Sequence, residues 1–242
     1  MVARGDGEHG PAASPERQVE LARDFIEMQQ YMARAIERVR ATPDDRLISR
    51  LANTETEGRL LDMQELQSLI LQILVAGNET TTTTLASGMS TLLERPELIE
   101  EIRANPDRVR PFIEETLRVA APLQTLFRRV RTDVELHGVT IPAGALVEVR
   151  FGAANRDPRK FPCPADVDRE RRNSASHLSF GAGIHMCIGN QLARSELRPA
   201  FQTLIRRLEG MRLARGADSV RLQRTYTTYG PDQLWMSFDA RR

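Results

Sequence analysis

The segment Phe180-Gly181-Ala182-Gly183-Ile184-His185-Met186-Cys187-Ile188-Gly189 surrounds one cysteine with glycines and delivers it to the start of a predicted helix. Gly181, Gly183 and Gly189 are free to take positive φ and leave the backbone open to a flat, bulky group, as a bulged loop around a metal requires. Beyond Cys187, the residues Leu192, Leu197, Phe201, Leu204 and Leu208 recur at spacings of three to five, which predicts a helix over 188–208. The cysteine then stands where free amides and the positive end of a helix dipole favour an anionic sulfur. A turn around a buried, inert thiol is the plainer reading of the same loop.

The pattern Phe-Gly-x-Gly-x-His-x-Cys-x-Gly resembles the haem-binding loop of the cytochrome P450 monooxygenases. That resemblance implies Cys187 as the axial iron ligand of haem b (iron protoporphyrin IX). It also implies Phe180, Gly181, His185 and Gly189 as further cofactor contacts, with His185 on a propionate.

Upstream, Ala76-Gly77-Asn78-Glu79-Thr80-Thr81 interrupts a long helical pattern from about Asp62 to about Glu94, flanked by Leu66, Leu69, Ile70, Ile73 and Leu74 and then Leu85, Met89, Leu92 and Leu93. Gly77 inside a helix costs about 1 kcal/mol against alanine, and the five threonines from Thr80 to Thr84 are poor helix formers. A locally opened helix, with hydroxyls competing for backbone carbonyls, is expected. A solvent-facing polar patch on a core helix is the alternative. By resemblance the segment is the oxygen-binding groove, with Ala76 and Gly77 against the cofactor and Glu79 and Thr80 as the catalytic proton relay.

Glu115 and Arg118 stand three apart, on one helical face. Most such pairs are exposed and contribute little, but the resemblance implies a buried structural ion pair behind the haem. Farther on, Phe127-Arg128-Arg129-Val130 leads to Asp133. Spacing from Asp133 matches the family pattern when Arg128, rather than Arg129, holds the propionates, with Val130 in the usual alanine's place. A guanidinium suits a carboxylate because its planar fork can hold both oxygens. Read without the other motifs, both arginines are strand-edge charges.

The family's usual arginine and phenylalanine are replaced by Asp166 and Val167 in Pro164-Ala165-Asp166-Val167. Arg169, Arg171 or His177 could complete the Glu115 and Arg118 network instead. The early helices and much of the first sheet of a family member have no counterpart, so an N-terminally truncated P450 fold is expected. It is mainly α with a small antiparallel β region (α+β). Residues 1–17, rich in Gly, Ala and Pro near the start, read as a disordered leader, and 18–242 as the C-terminal haem-binding part of a P450 domain. Helices are predicted at 18–40, 44–53, 62–94, 96–104, 107–120 and 188–208. Strands are predicted at 123–130, 133–136, 139–141 and 145–151, with short hairpins from 211 on.

With 242 residues, 40% of them hydrophobic and 28% charged, the chain can bury one substantial core. A formal charge of +1 gives no case for nucleic acid, and no apolar run is long enough for a membrane anchor. Two cysteines do not suggest a disulfide framework, and Cys163 reads as a loop thiol without chemistry. A cytoplasmic enzyme is expected.

The resemblance implies insertion of one atom of dioxygen into a small apolar substrate. Leu123 to Leu126, Ile73, Ala76 and Thr227 to Tyr229 would line its pocket. Neither a flavin nor a nicotinamide fingerprint occurs, so a ferredoxin or flavodoxin-type electron donor is implied, and Arg194, Arg198 and Arg206 could dock it. The competing readings are a truncated, catalytically inert remnant and a non-catalytic haem-binding module.

Overall fold

Ser14 and Pro15 start the first helix. The serine Oγ accepts the Arg17 amide at 3.3 Å, and proline at the first turn loses no helical hydrogen bond. The computed structural model describes residues 14–225 and 227–240. Helix α1 spans Pro15–Ala41, so residues 15–17, expected in the leader, are helical. Residues 1–13 lie outside the described residues. The described chain divides into two units, one ending at Val75 and one beginning at Ala76.

In the first unit, α1 is followed by α2 (Leu47–Asn53) and by a hairpin of β1 (Glu55–Thr56) and β2 (Arg59–Leu60). The hairpin was not predicted. Its two-residue loop puts Glu57 and Gly58 both at positive φ, 54° and 76°, the twist that suits a tight antiparallel turn. Helix α3 (Met63–Glu94) starts with a reciprocal cap: Glu65 N–H donates to Asp62 Oδ1 at 2.8 Å, and Asp62 N–H donates to Glu65 Oε2 at 2.9 Å. Arg59 grips the same Glu65 with both arms, at 2.6 and 2.7 Å, and ties the hairpin to the helix start. Met32, Ile36, Ala52, Leu66 and Ile70 form the unit's core.

The second unit holds the rest of α3, then α4 (Pro96–Ala104) and α5 (Val109–Val119). Next come β3 (Thr125–Arg129), β4 (Val134–Leu136), β5 (Val139–Ile141), β6 (Leu146–Arg150) and α6 (Phe151–Ala154). Helix α7 (Asn190–Arg207) is followed by β7 (Leu208–Leu213), β8 (Val220–Arg224), β9 (Tyr229–Leu234) and β10 (Met236–Ala240). The strands pair antiparallel as separate ribbons, β3 with β6, β4 with β5, β7 with β10 and β8 with β9, rather than as one small sheet.

Helices α3, α4, α5 and α7 enclose the core, where Phe112 and Phe201 meet edge to face at 5.3 Å among Met89, Leu92, Leu98, Ile102, Leu117 and Leu197. Gly88 makes this packing possible, since a Cβ there would come within 2.4 Å of the Phe201 ring. The tip of the β8–β9 hairpin is tied by backbone bonds to the segment after α5. Gln124 N–H donates to Thr227 O at 2.7 Å, and Tyr229 N–H to Pro122 O at 3.1 Å. Two of the segments expected to line a pocket, Leu123 to Leu126 and Thr227 to Tyr229, are therefore side by side.

Candidate functional site

The cysteine loop is closed at its neck by backbone. Cys187 N–H donates to Phe180 O at 2.8 Å, and within the loop Met186 N–H donates to Gly183 O at 3.0 Å around a 3-10 turn at Gly183–His185. Gly181 and Gly183 have φ of 68° and 71°, the left-handed region that a side chain would strain. Helix α7 begins at Asn190 rather than at 188, so Cys187 precedes its first turn. The Asn190 side-chain amide donates to Cys187 O at 2.7 Å. Cys187 is exposed, and the apolar side chains beside it, Ile184 at 96% and Ile188 at 102% exposure, have no cover from the described residues. The thiol is therefore not buried.

Helix α3 does not open at Gly77; it is continuous from Met63 to Glu94. The threonine hydroxyls turn back onto carbonyls four residues earlier, Thr80 to Ala76 O, Thr82 to Asn78 O and Thr84 to Thr80 O, each at 2.8 Å. This satisfies the hydroxyls without unwinding the backbone, which is why the expected break is absent. Apart from the adjoining residues and the helix's own backbone, no atom of the described residues lies within 4 Å of where a Cβ on Gly77 would stand. Ala76, Gly77 and Glu79 are exposed, and the Glu79 carboxylate makes no ion pair or hydrogen bond among the described residues.

Arg128 and Arg129, adjacent in β3, point to opposite faces of the ribbon. The Arg129 guanidinium is turned to Gly144 O, whereas Arg128 reaches only Phe127 O and finds no carboxylate among the described residues. His185 is exposed in the 3-10 turn.

Behind these groups, Glu115 and Arg118 are fully buried. All five guanidinium N–H bonds of Arg118 are used: on Glu115 at 2.7 and 2.9 Å, and on the carbonyls of Asn155 (3.0 Å), Pro164 (2.7 Å) and Asp166 (2.8 Å). Phe161 covers the guanidinium at 5.2 Å. Glu115 also accepts the Asp168 amide at 2.8 Å and Arg171 Nε at 3.2 Å. Burial by itself would raise the Glu115 carboxyl, but these donors outweigh it and hold it below its ordinary value. Of the three groups offered for the network, Arg171 completes it. Arg169 pairs with Glu101, and His177 with Glu114.

Glu114, one residue earlier on α5, anchors a second network that the sequence reading did not include. It accepts Arg194 Nε at 2.7 Å and Nη2 at 2.9 Å, and His177 Nε2 at 3.2 Å. Since His177 Nδ1 accepts the Ser179 amide, the ring carries its proton on Nε2. Desolvation would raise Glu114, yet the bonds from Arg194 and His177 bring it down to about 2. Arg194 is thus taken up inside the fold and is not a free docking charge. Arg198 stands 3.5 Å from Asp107, and Arg206 is exposed with no partner among the described residues. Adjacent acids on a helix point about 100° apart, so Glu114-Glu115 was itself a signal of two different neighbours.

A polar groove of about 540 Å³ lies between Gln124, Thr125, Glu148, Arg150, Arg156 and Tyr229. Arg156 is turned to Val119 O and Arg150 to Glu148, and no residue of the cysteine loop lines the groove. It is not the candidate site. Among the described residues no cluster of three or more His, Cys, Asp or Glu could hold a metal ion. A metal on Cys187 must therefore bring its other ligands with it. The exposed Cys187 sulfur, the open glycine backbone and the uncovered Ile184 and Ile188 fit a macrocycle that does so.

No helix among the described residues is long and apolar enough to cross a membrane. The chain is 36% identical over 227 residues to 6-deoxyerythronolide B hydroxylase of Saccharopolyspora erythraea, a match that covers 93% of this chain and 56% of that protein. It is 39% identical over 206 residues to mycinamicin IV hydroxylase/epoxidase of Micromonospora griseorubida, covering 84% and 52%. Among solved structures, CYP109E1 from Bacillus megaterium in complex with testosterone superposes with a TM-score of 0.84 at 32% identity, over 90% of this chain and 60% of that one. The chain spans about half the length of the curated relatives it matches. The family model for cytochrome P450 matches residues 14–211, and with the helical fold and the cysteine loop described above, the chain belongs to the cytochrome P450 family.

Proposed function

We propose that this chain carries the thiolate side of a haem-dependent monooxygenase acting on a small apolar substrate, with Cys187 as the residue that would hold the iron. The observation that carries this reading is the exposed Cys187 sulfur on a loop whose glycines leave the backbone open and whose isoleucines stand uncovered. When bound, a haem opposite such a sulfur supplies dioxygen activation, because the thiolate donates electron density that favours O–O cleavage.

The chain's own residues divide the remaining work. Arg128 and His185, both exposed and without carboxylate partners among the described residues, hold the propionates. Thr80 commits its proton to Ala76 O, so its oxygen is left as an acceptor that orders water beside the oxygen site. Glu79, exposed and with its carboxylate unpaired among the described residues, exchanges protons with solvent and passes them toward that water. Ala76 and Gly77 present a low surface to the cofactor. The hairpin residues Thr227 to Tyr229 and the segment Leu123 to Leu126 line the substrate side; the testosterone in complex with a structural neighbour supports an apolar substrate. Electrons come from a ferredoxin or flavodoxin-type protein in the cytoplasm, to which Arg198 and Arg206 remain available.

The test is the spectrum of the reduced, carbon-monoxide-treated chain after reconstitution with haem. A thiolate-type Soret band is expected, and turnover with added electron carriers should follow. A histidine-like band, or no haem uptake, overturns the reading.

A further inference from the structure

Three contacts meet at Arg194. Its guanidinium lies 4.5 Å from the centroid of the Phe180 ring, over its face. Its Nη1 donates to Asn190 Oδ1 and Asn190 O, both at 3.2 Å, while Asn190 in turn caps Cys187 O. Its remaining donors are fixed on both oxygens of Glu114. Phe180 and Asn190 stand on the two sides of the neck that the Cys187 to Phe180 backbone bond closes. The His177 ring, also bound to Glu114, packs 5.7 Å from Phe180.

We propose that Arg194, held by Glu114 and His177, is the positioning residue of the cysteine loop, clamping Phe180 and Asn190 so that the Cys187 sulfur is presented in one orientation. The inference rests on the reading of Cys187 as iron ligand, and it assigns the clamp to a residue that touches neither cofactor nor substrate. A planar fork is required because one group must stack on a ring and bond two different partners; an ammonium offers no plane to stack. The hydrogen bonds to Glu114 hold the guanidinium above its ordinary value against burial, and the nearby Cys187 sulfur acts in the same direction.

The test compares Arg194→Gln, Arg194→Lys and Glu114→Gln with Arg206→Gln, an exposed arginine on the same helix. In the haem-free full chain, amide hydrogen exchange should rise about tenfold or more at Cys187 and across 181–189 in the first three variants, with α5 unchanged and Arg206→Gln silent. After haem reconstitution the same variants should lose part of the thiolate-type Soret band, and lysine should not restore it. Unchanged loop exchange, or an equal rise in α5 and the loop, overturns the clamp. Should Arg194→Gln fail to fold, Phe180→Leu decides, because it keeps an apolar residue but removes the face on which the guanidinium stacks. If the unaltered chain takes up no haem, the reading of the ligand fails, while the exchange data still decide the clamp.

Discussion

The network around Arg118 and the loop around Cys187 lie in one unit and obey opposite rules. At Arg118 every donor has an acceptor and no side-chain surface reaches water. At Cys187 the thiol and its isoleucine neighbours face outward. The first arrangement gives stability only as a complete set, since a buried charge deprived of its partner is far costlier than the pair. The second contributes little to folding and keeps its groups available for a ligand. Two acids of α5, one residue apart, serve the two regions: Glu115 faces the Arg118 network, and Glu114 reaches the loop through Arg194.

This division can be broken most forcefully at its buried side. Arg118→Ala should cost about 3–5 kcal/mol in urea unfolding, because it strands Glu115 and three carbonyls; a loss below about 1 kcal/mol would mean water enters there freely. Arg171→Gln should cost less, about 1.5–3 kcal/mol, since Glu115 keeps its other donors. The same change at Arg169 should leave Glu115 untouched, and equal losses would remove Arg171 from the network.

Glu114 sharpens the comparison through pH. Its carboxyl is depressed from 4.5 to about 2, so its contribution is fully present above 4.5 and disappears as pH falls through about 2. Acid titration of unfolding free energy should therefore fall less steeply in that window for Glu114→Gln than for the unaltered chain. An identical slope would show that the carboxylate is not held down in the folded state.

On the exposed side, effects on folding should be small. Cys187→Ser should change stability by no more than about 0.5 kcal/mol while abolishing any thiolate-type Soret band. Thr80→Ala should leave stability nearly unchanged, within about 0.5 kcal/mol, and separate electron consumption from product formation. Unchanged coupling would remove the hydroxyl from the proton path.

How far these features were legible depends on how local their causes are. Helix α3, predicted at 62–94 and found at Met63–Glu94, carries an apolar period on both sides of the 76–84 segment and a cap at Asp62. The pairs β4 and β5 follow alternation around a tight His137-Gly138 turn. The hairpin at 55–60 escaped notice because two-residue strands have no period to read. Glycine and threonine propensities pointed to a break at Gly77, and the i−4 hydroxyl bonds overruled them. Arg171 could not be chosen over Arg169 or His177 because the chain from 155 to 180 is irregular, and only its path in space decides which guanidinium reaches Glu115. Arg194 looked like a surface charge on a helix until its partner, 80 residues earlier, was in view.

One bond has a further meaning. The Cys187 amide and the Phe180 carbonyl join the two ends of a short arc, so the outline of that arc is determined at its base. Ala182, Ile184 and Met186, carried on the arc and open to solvent, answer to little in the chain's own packing. Substitutions at these three positions should leave the protein's melting behaviour alone, and whatever selects their character acts from outside the polypeptide.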